Sequence, residues 1–128
     1  MRFLRRIRVL LVSRDDRFLS VARFLLTRSG LSVESTPHPS EVFELVKRGS
    51  DVVVVDGTDS LATAALTVAA IEALHPDVGV IVVTEEPDPA GRVFRPLPKW
   101  GSLSELVVEI EQVYLRLHPR ERPARISR

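Results

Sequence analysis

Short, continuous apolar runs separated by helix-forming segments are the feature that most restricts how this chain can fold. The runs at 9–12, 52–55 and 78–83 are too short for helices of ordinary length and show no polar alternation. Strands of this kind are buried on both faces, as in a parallel sheet that helices cover. Because parallel strands need long crossover connections, the sequence predicts an α/β domain with helices on both faces of the sheet.

Capping residues and apolar spacing place helices between these strands. Asp15 or Asp16 can cap a first helix, and Gly30 is a natural end for it. Ser40 is the predicted cap of a second helix that ends near Gly49. The predicted strands are 8–12, 31–35, 52–55 and 78–84 with a weak fifth at 92–95, and two further helices are predicted at 61–74 and 103–117.

The composition indicates one compact domain. The chain has 128 residues, of which 45% are hydrophobic and 27% charged, and it has no cysteine. Disulfides, thiolate metal sites and cysteine nucleophiles are therefore excluded. No apolar run approaches the roughly 20 residues of a membrane-spanning helix. We expect a cytoplasmic domain at residues 1–117 and a disordered basic tail at 118–128, with no membrane contact.

Arginines are concentrated at the two ends of the sequence. Residues 1–28 hold eight Arg against two Asp, and residues 116–128 hold five Arg against one Glu, although the whole chain has a formal net charge of +1. Basic ends can attract nucleic acid through long-range fields. The same pattern is typical of solvated helix surfaces and tails. Since no recognition helix is evident, nucleic-acid association ranks last among the functional hypotheses.

Polar residues follow the predicted strands at one edge of the sheet. In an open parallel sheet, ligands bind beyond the carboxyl ends of the strands, and the residues placed there are 13–16, Asp56, Thr84 and Lys99. A carboxylate, a hydroxyl and an ammonium at one crevice suit phosphoryl chemistry, with Asp56 as acceptor and the other two as donors to phosphoryl oxygens. The chain has no Gly-rich phosphate loop, so nucleotide binding is a weak hypothesis.

Three segments resemble the receiver domain of two-component response regulators, and the resemblance extends over residues 7–117. The segments are "SDVVVVDG", "LHPDVGVIVVTEE" and "LPKWGSLSELVVEI", in the order and spacing of that family. The resemblance implies a flavodoxin-like, doubly wound sheet of five parallel strands in the order 2-1-3-4-5. It also implies that Asp56 takes the phosphoacceptor position, Thr84 the switch hydroxyl position and Lys99 the phosphate-contacting position.

The acidic pair that holds Mg²⁺ in this family is the main departure. Alignment on Val12 and Gly30 places that pair at Ser13 and Arg14, with Asp15 and Asp16 two residues later. Arg14 has no acceptor for a metal, and Mg²⁺ requires hard oxygen ligands. We therefore expect no metal site, and we expect the Arg14 guanidinium to pair with Asp56. The alternative is that Asp15 or Asp16 supplies metal oxygens together with Asp56.

The region between Thr84 and Lys99 also departs from the family. Glu85 stands where a small residue is usual, and Glu85 or Glu86 could pair with Lys99 instead of a phosphoryl group. Four prolines within residues 85–98 leave no room for a normal helix plus a strand, so the fourth helix of the family is predicted to be short or missing. Pro96 takes the aromatic switch position, and Trp100 replaces a proline, where simple packing or a partner contact would explain it.

These observations lead to three hypotheses of function, none of them an enzyme. The first is an atypical receiver that binds a protein partner, such as a histidine kinase or a downstream signalling protein, or its own copy, without normal Mg²⁺-dependent phosphorylation. The second is a functional receiver that a histidine kinase phosphorylates on Asp56. The third is the nucleic-acid-associated protein already described.

Overall fold

The computed structural model describes residues 6–85, 97–101 and 103–119. Five parallel strands form one sheet in the order β2-β1-β3-β4-β5. The strands are β1 Arg8–Val12, β2 Ser32–Thr36, β3 Val52–Asp56, β4 Gly79–Thr84 and β5 Leu97–Pro98, and the helices are α1 Asp16–Arg28, α2 Val42–Lys47, α3 Leu61–Leu74 and α4 Leu103–Leu117. The predicted fold class and strand order are confirmed.

Side chains point alternately to the two faces along each strand, so the sheet has one hydrophobic core on each face. Leu11 and Val54 point toward α1 and α4, in a cluster that includes Phe18 and Tyr114. Leu10, Val12, Val53 and Val55 point the other way, toward α2 and α3. Because successive side chains of a strand point to opposite faces, a sheet covered on both sides needs apolar residues at every position. This explains the unbroken valine runs in the sequence.

The starts of α1 and α2 show that local sequence predicted one helix cap correctly and the other incorrectly. Asp15 is the cap of α1, as its carboxylate accepts hydrogen bonds from the amides of Arg17 and Phe18. The prediction that Ser40 caps α2 is wrong. Residues Pro39–Glu41 form a 3₁₀ turn instead, and α2 begins at Val42. The Thr36 hydroxyl holds this turn by accepting a hydrogen bond from the His38 amide at 3.0 Å, which takes the place of the predicted cap.

The strand that follows β4 begins later than predicted. The fifth strand is Leu97–Pro98, later than the predicted 92–95. Residues 92–95 and the segment of the predicted short or missing fourth helix, 86–96, lie outside the described residues, as do 120–128 of the predicted tail. Of the helices in the described part of the chain, none is long and apolar enough to span a membrane.

A close approach of α4 to the sheet occurs at Gly79, the first residue of β4. A Cβ atom at Gly79 would overlap the Cγ1 atom of Val113 on α4. We therefore expect Gly79→Ala to lower the free energy of unfolding by about 1–3 kcal/mol through overpacking. Urea unfolding followed by circular dichroism measures this change.

Val113→Ala provides the control for this steric explanation. In Gly79→Ala/Val113→Ala the overlapping methyl groups are removed, so the double variant should be more stable than the sum of the two single losses predicts. Strict additivity of the two losses would contradict the proposed contact.

Candidate functional site

Strand register brings the predicted site residues to one edge of the sheet. Val12 is paired with Val55, and Asp56 is paired with Val83, so β1, β3 and β4 end close together. Ser13 directly follows β1, Asp56 ends β3, and Lys99 follows β5. The amide of Lys99 donates to the carbonyl of Thr84 at 3.0 Å, which extends the β4–β5 ladder and fixes the start of the lysine side chain.

The Asp56 carboxylate is buried and hydrogen-bonded through both of its oxygens, with 6% of its side chain exposed. Its Oδ2 atom accepts a hydrogen bond from Ser13 Oγ at 2.6 Å and lies 2.8 Å from Lys99 Nζ. Its Oδ1 atom accepts a hydrogen bond from the amide of Thr58 at 2.9 Å. Charge-assisted hydrogen bonds of this kind are about twice as strong as neutral ones, so three donors hold the carboxylate in one orientation.

The Lys99 ammonium is the centre of the site. It lies 2.9 Å from Asp15 Oδ2 and 3.6 Å from Glu85 Oε2, in addition to its contact with Asp56, and 2% of the side chain is exposed. The rings of Phe18 and Trp100 flank it, with centroids 5.5 and 5.7 Å from Nζ. The two rings themselves pack edge to face at 5.7 Å. Carboxylates and aromatic faces both favour a cation at this position.

The pKa values follow from these contacts. Burial opposes ionisation of Asp56, but the hydrogen bonds from Lys99 and Ser13 outweigh it and hold the pKa of the carboxyl below its usual 3.8. The hydrogen bond from Lys99 also lowers the pKa of Asp15. Burial alone would lower the pKa of Lys99, yet Asp56 and Asp15 raise it above 10.5. All three groups are therefore charged at neutral pH.

Arg14 does not have the role that the sequence suggested. No ion pair among the described residues joins it to Asp56, and its side chain is exposed. Continued alternation after β1 explains the difference. Ser13 points to the same side of the sheet as Leu11, where Asp56 also points, whereas Arg14 points toward α3. Arg14 lies at the edge of a cavity of about 200 Å³ that Asp56, Pro39 and Thr63 also line. The cation that pairs with Asp56 is Lys99.

The other residues that the sequence placed at or near the site are Thr84, Glu85, Glu86 and Trp100. Thr84 is buried at the end of β4, next to the site. The proposed pair between Lys99 and Glu85 is present at 3.6 Å, while Glu86 lies outside the described residues. Trp100 is half exposed and packs on Phe18, so packing accounts for part of its surface.

The residues of the site do not fit a resident Mg²⁺ ion. Mg²⁺ prefers octahedral oxygen ligands at about 2.0–2.1 Å. Here Ser13 offers a hydroxyl that already donates to Asp56, and the Lys99 ammonium lies between the carboxylates of Asp15 and Asp56. Within the described part of the chain, no group of three or more His, Asp or Glu side chains is arranged to hold a metal ion. The ammonium supplies the positive charge that these carboxylates need.

Sequence reasoning missed the second role of Asp15. It was considered as a helix cap or as a metal ligand, but its Oδ1 atom caps α1 while its Oδ2 atom binds Lys99. Phe18 belongs to the core, and its ring also faces the ammonium. The position of Asp15, three residues after the end of β1 on the edge that holds Lys99, is a signal for the ion pair. Its distance from Lys99 could not be read from the sequence.

Comparisons with known proteins agree with this geometry at the level of the fold. No protein-family model matches the sequence, and no curated protein matches it. The signal receiver domain of an HD domain-containing protein from Pseudomonas fluorescens Pf-5 has a TM-score of 0.78 at 21% identity, covering 93% of this chain and 94% of that one. A structure described as a transiently phosphorylated "switch" in bacterial signal transduction has a TM-score of 0.71 at 25% identity, covering 90% and 99%.

A third similar structure is an atypical orphan response regulator, described as having a phosphorylation-independent regulatory mechanism. Its TM-score is 0.71 at 22% identity, covering 84% of this chain and 94% of that one. The receiver domains therefore share the sheet order and the helical layers of this chain, and the chemistry at the strand ends has to be argued from its own residues.

Removal of the Lys99 charge should destabilise the domain. In Lys99→Met the carboxylates of Asp56 and Asp15 lose their common cation, and breaking a buried pair typically costs about 3–5 kcal/mol. We expect the free energy of unfolding to fall by about 3 kcal/mol at pH 7. Asp56→Asn added to Lys99→Met should recover part of this loss, because the unpaired buried charge is then absent.

The pH dependence provides a second readout of the same pair. The pKa of Asp56 is lowered in the folded state, so its stabilising contribution is complete above about pH 4 and is lost as the pH falls through the folded pKa. The difference between wild type and Lys99→Met should therefore narrow as the pH is lowered from 7 to 3, as measured by urea unfolding.

Lys47→Met is the matched control, since Lys47 pairs with Glu44 on the surface with 65% of its side chain exposed. It should change stability by less than about 0.5 kcal/mol at any pH. An equal loss of unfolding free energy in Lys99→Met and Lys47→Met would contradict the role of Lys99 as the common cation of Asp56 and Asp15.

Proposed function

We propose, since this chain has the fold of the receiver domains of response regulators, that it acts in signal transduction as an atypical receiver. In this proposal it is a protein-interaction module rather than an enzyme, and its output does not require Mg²⁺-assisted phosphorylation of Asp56. The observation that carries the proposal is the Lys99 ammonium held at 2.8 and 2.9 Å between Asp56 and Asp15.

Phosphoryl transfer to Asp56 would need a cation that is free to neutralise the charge of the incoming group. An incoming phosphoryl group brings negative charge to a site that already contains Asp15, Asp56 and Glu85 around one ammonium. A metal ion would orient the group and neutralise this charge, but Arg14 and Ser13 take the predicted positions of the acidic metal ligands. Lys99 would have to leave a carboxylate partner in order to contact phosphate, so the acyl-phosphate is disfavoured on electrostatic grounds.

A receiver with such a site would keep a single conformation at the strand ends. Ser13, Thr58 and Lys99 already satisfy the Asp56 carboxylate, so the site holds its geometry without a modification. The surface of the domain would then be recognised by a protein partner, such as a histidine kinase or a downstream signalling protein, at all times. Regulation would come from the amount or location of the partners. The similar orphan regulator with a phosphorylation-independent mechanism is a precedent for this behaviour.

The second candidate function is a receiver that is phosphorylated on Asp56. The observation that favours it is that Ser13 and Lys99 hold Asp56 by its Oδ2 atom, which leaves Oδ1, held by the Thr58 amide, as the oxygen for attack on phosphorus. Nucleic-acid association stays a prediction that depends on the basic ends, of which residues 1–5 and 120–128 lie outside the described residues.

An NMR titration distinguishes the two receiver functions. Amide spectra of the whole chain are recorded with increasing Mg²⁺ and then with beryllofluoride, which mimics an acyl-phosphate. Because the acidic pair is replaced and Lys99 is engaged, we expect no saturable shift at Ser13, Asp56 or Thr84. Saturable shifts at these residues would support the phosphoacceptor function and overturn the first proposal.

A variant that restores the acidic pair tests whether the absence of Mg²⁺-dependent shifts in the wild type results from the missing carboxylates. Ser13→Asp/Arg14→Asp restores two carboxylates at the predicted acidic-pair positions and should produce Mg²⁺-dependent shifts at Asp56. Arg14→Ala is the matched control, because it removes the positive charge without adding an oxygen ligand, and it should remain silent. If the double variant is folded and also silent, Ser13 and Arg14 are not the positions of the acidic pair.

A further inference from the structure

The cavity beside Arg14 lies between the ends of β1 and β3 and the first two turns of α3, and it has a volume of about 200 Å³. Its apolar wall consists of Pro39 and the buried side chains of Val12, Val55 and Ala64. Sites for drug-sized ligands usually have volumes of about 300–1,000 Å³. This smaller cavity therefore suits a ligand of few non-hydrogen atoms with a short apolar part.

Two opposite charges at this cavity are not neutralised by the protein itself. Arg14 and Asp59 both line the cavity, and both side chains are exposed. No ion pair among the described residues joins either of them to another side chain. Asp56 also lines the cavity, but its charge is already balanced by Lys99 at 2.8 Å. The described lining of the cavity therefore offers one free cation and one free anion.

Hydroxyl groups at the start of α3 complete the polar part of the cavity. Ser60 Oγ accepts a hydrogen bond from the amide of Thr63 at 3.1 Å and keeps its own O–H group as a donor. Thr67 Oγ1 donates to the carbonyl of Thr63 at 3.0 Å and keeps its lone pairs as acceptors. The N-terminal end of a helix also favours a negative group. The cavity thus presents donors that suit a carboxylate and acceptors that suit an ammonium.

We propose that this cavity, the Arg14 cavity, binds a free α-amino acid with a short apolar side chain, such as alanine or valine. The carboxylate of the ligand pairs with the guanidinium of Arg14, and its ammonium pairs with the carboxylate of Asp59. The side chain of the ligand packs on the apolar wall. The small volume explains why the side chain has to be short.

The charges of the cavity favour a zwitterion over a simple anion or cation. Phosphate would bring up to two negative charges next to Asp59, and Lys99 is not free to balance them because it is held between Asp15 and Asp56. A monocarboxylate would satisfy Arg14 alone, and an amine would satisfy Asp59 alone. A ligand with both groups leaves neither charge unpaired in a partly enclosed site, where an unbalanced charge costs more than it does in water.

The inference goes beyond the proposed function and does not rest on it. The cavity shares Ser13 and Asp56 with the strand-end site, but its two free charges belong to other residues. An amino acid should shift the amide NMR signals of Thr63 and Thr67. A response to Mg²⁺ or beryllofluoride would include Thr84, which does not line the cavity. Failure of either proposal therefore leaves the other intact.

Titration of the whole chain with L-alanine and L-valine, followed by calorimetry and amide NMR, tests the site. We expect saturable binding of both, with shifts at Thr63 and Thr67. Arg14→Gln and Asp59→Asn should each weaken binding by about tenfold or more, because each removes a charge-assisted hydrogen bond to the ligand. Both side chains are exposed, so the fold should be retained.

Arg17→Gln and Asp77→Asn are the matched controls, because both residues are exposed and neither lines the cavity. They should bind valine as the wild type does. Thr63→Leu narrows the cavity without a change of charge, and leucine is a better helix former than threonine. This variant should remain folded and lose valine binding.

Two fragments of valine test whether both charges of the ligand are needed. Isovalerate is valine without its ammonium, and isobutylamine is valine without its carboxylate. Each should bind at least about tenfold more weakly than valine, since each leaves one charge of the cavity unpaired. Absence of saturable binding by alanine and valine would overturn the proposal. Equally tight binding of isovalerate or phosphate, or valine binding that Asp59→Asn leaves unchanged, would also overturn it and would indicate a simple anion site at Arg14.

Discussion

The ammonium of Lys99 holds the functional edge of this domain together. It lies between the carboxylates of Asp56 and Asp15 at 2.8 and 2.9 Å, almost completely removed from solvent. Because Asp56 ends β3 and Asp15 caps α1, one cation joins the last strand to the centre of the sheet and to the first helix. Two carboxylates so close together would repel each other without it. The charge balance of the site is therefore internal, and an incoming anion would have to compete for the same ammonium.

This charge balance depends on the two-sided packing of the sheet. Alternation along β1 and β3 directs Ser13 and Asp56 to the face that α1 and α4 cover, where Phe18 and Trp100 narrow the space around the ammonium. Arg14 is exposed and lines a cavity beside α3, together with Ser13 and Asp56, without forming an ion pair with Asp56.

The strand-end site and the outer side of α3 differ in their chemistry. The strand-end site is charged, buried and satisfied by its own residues, which suits a structural role in a signalling module. The outer side of α3 is exposed and largely apolar, with Leu66 at 73% exposure.

The sequence by itself determined the order of the elements and the residues at the functional edge. Unbroken valine runs can only be strands buried on both sides, and they fixed β3 and most of β4. The start of α3 at Leu61 and the cap of α1 by Asp15 were likewise local decisions, because a side chain and amides within three residues are enough for a cap. The failure of Ser40 as a cap shows the limit, since Pro39–Glu41 form a 3₁₀ turn there, next to a hydrogen bond from the His38 amide to the Thr36 hydroxyl.

Only the tertiary structure decided which charges meet. The predicted pair of Arg14 with Asp56 is absent from the described residues, and Lys99 makes the contact from a position 43 residues further along the chain than Asp56. Asp15 looked like a cap and proved to be a cap and an ion-pair partner. Sequence patterns report the periodicity of a single segment, whereas an ion pair depends on distances of a few ångströms between segments that the sheet register brings together. That register, and the side of the sheet to which each side chain points, are set by packing of the whole domain.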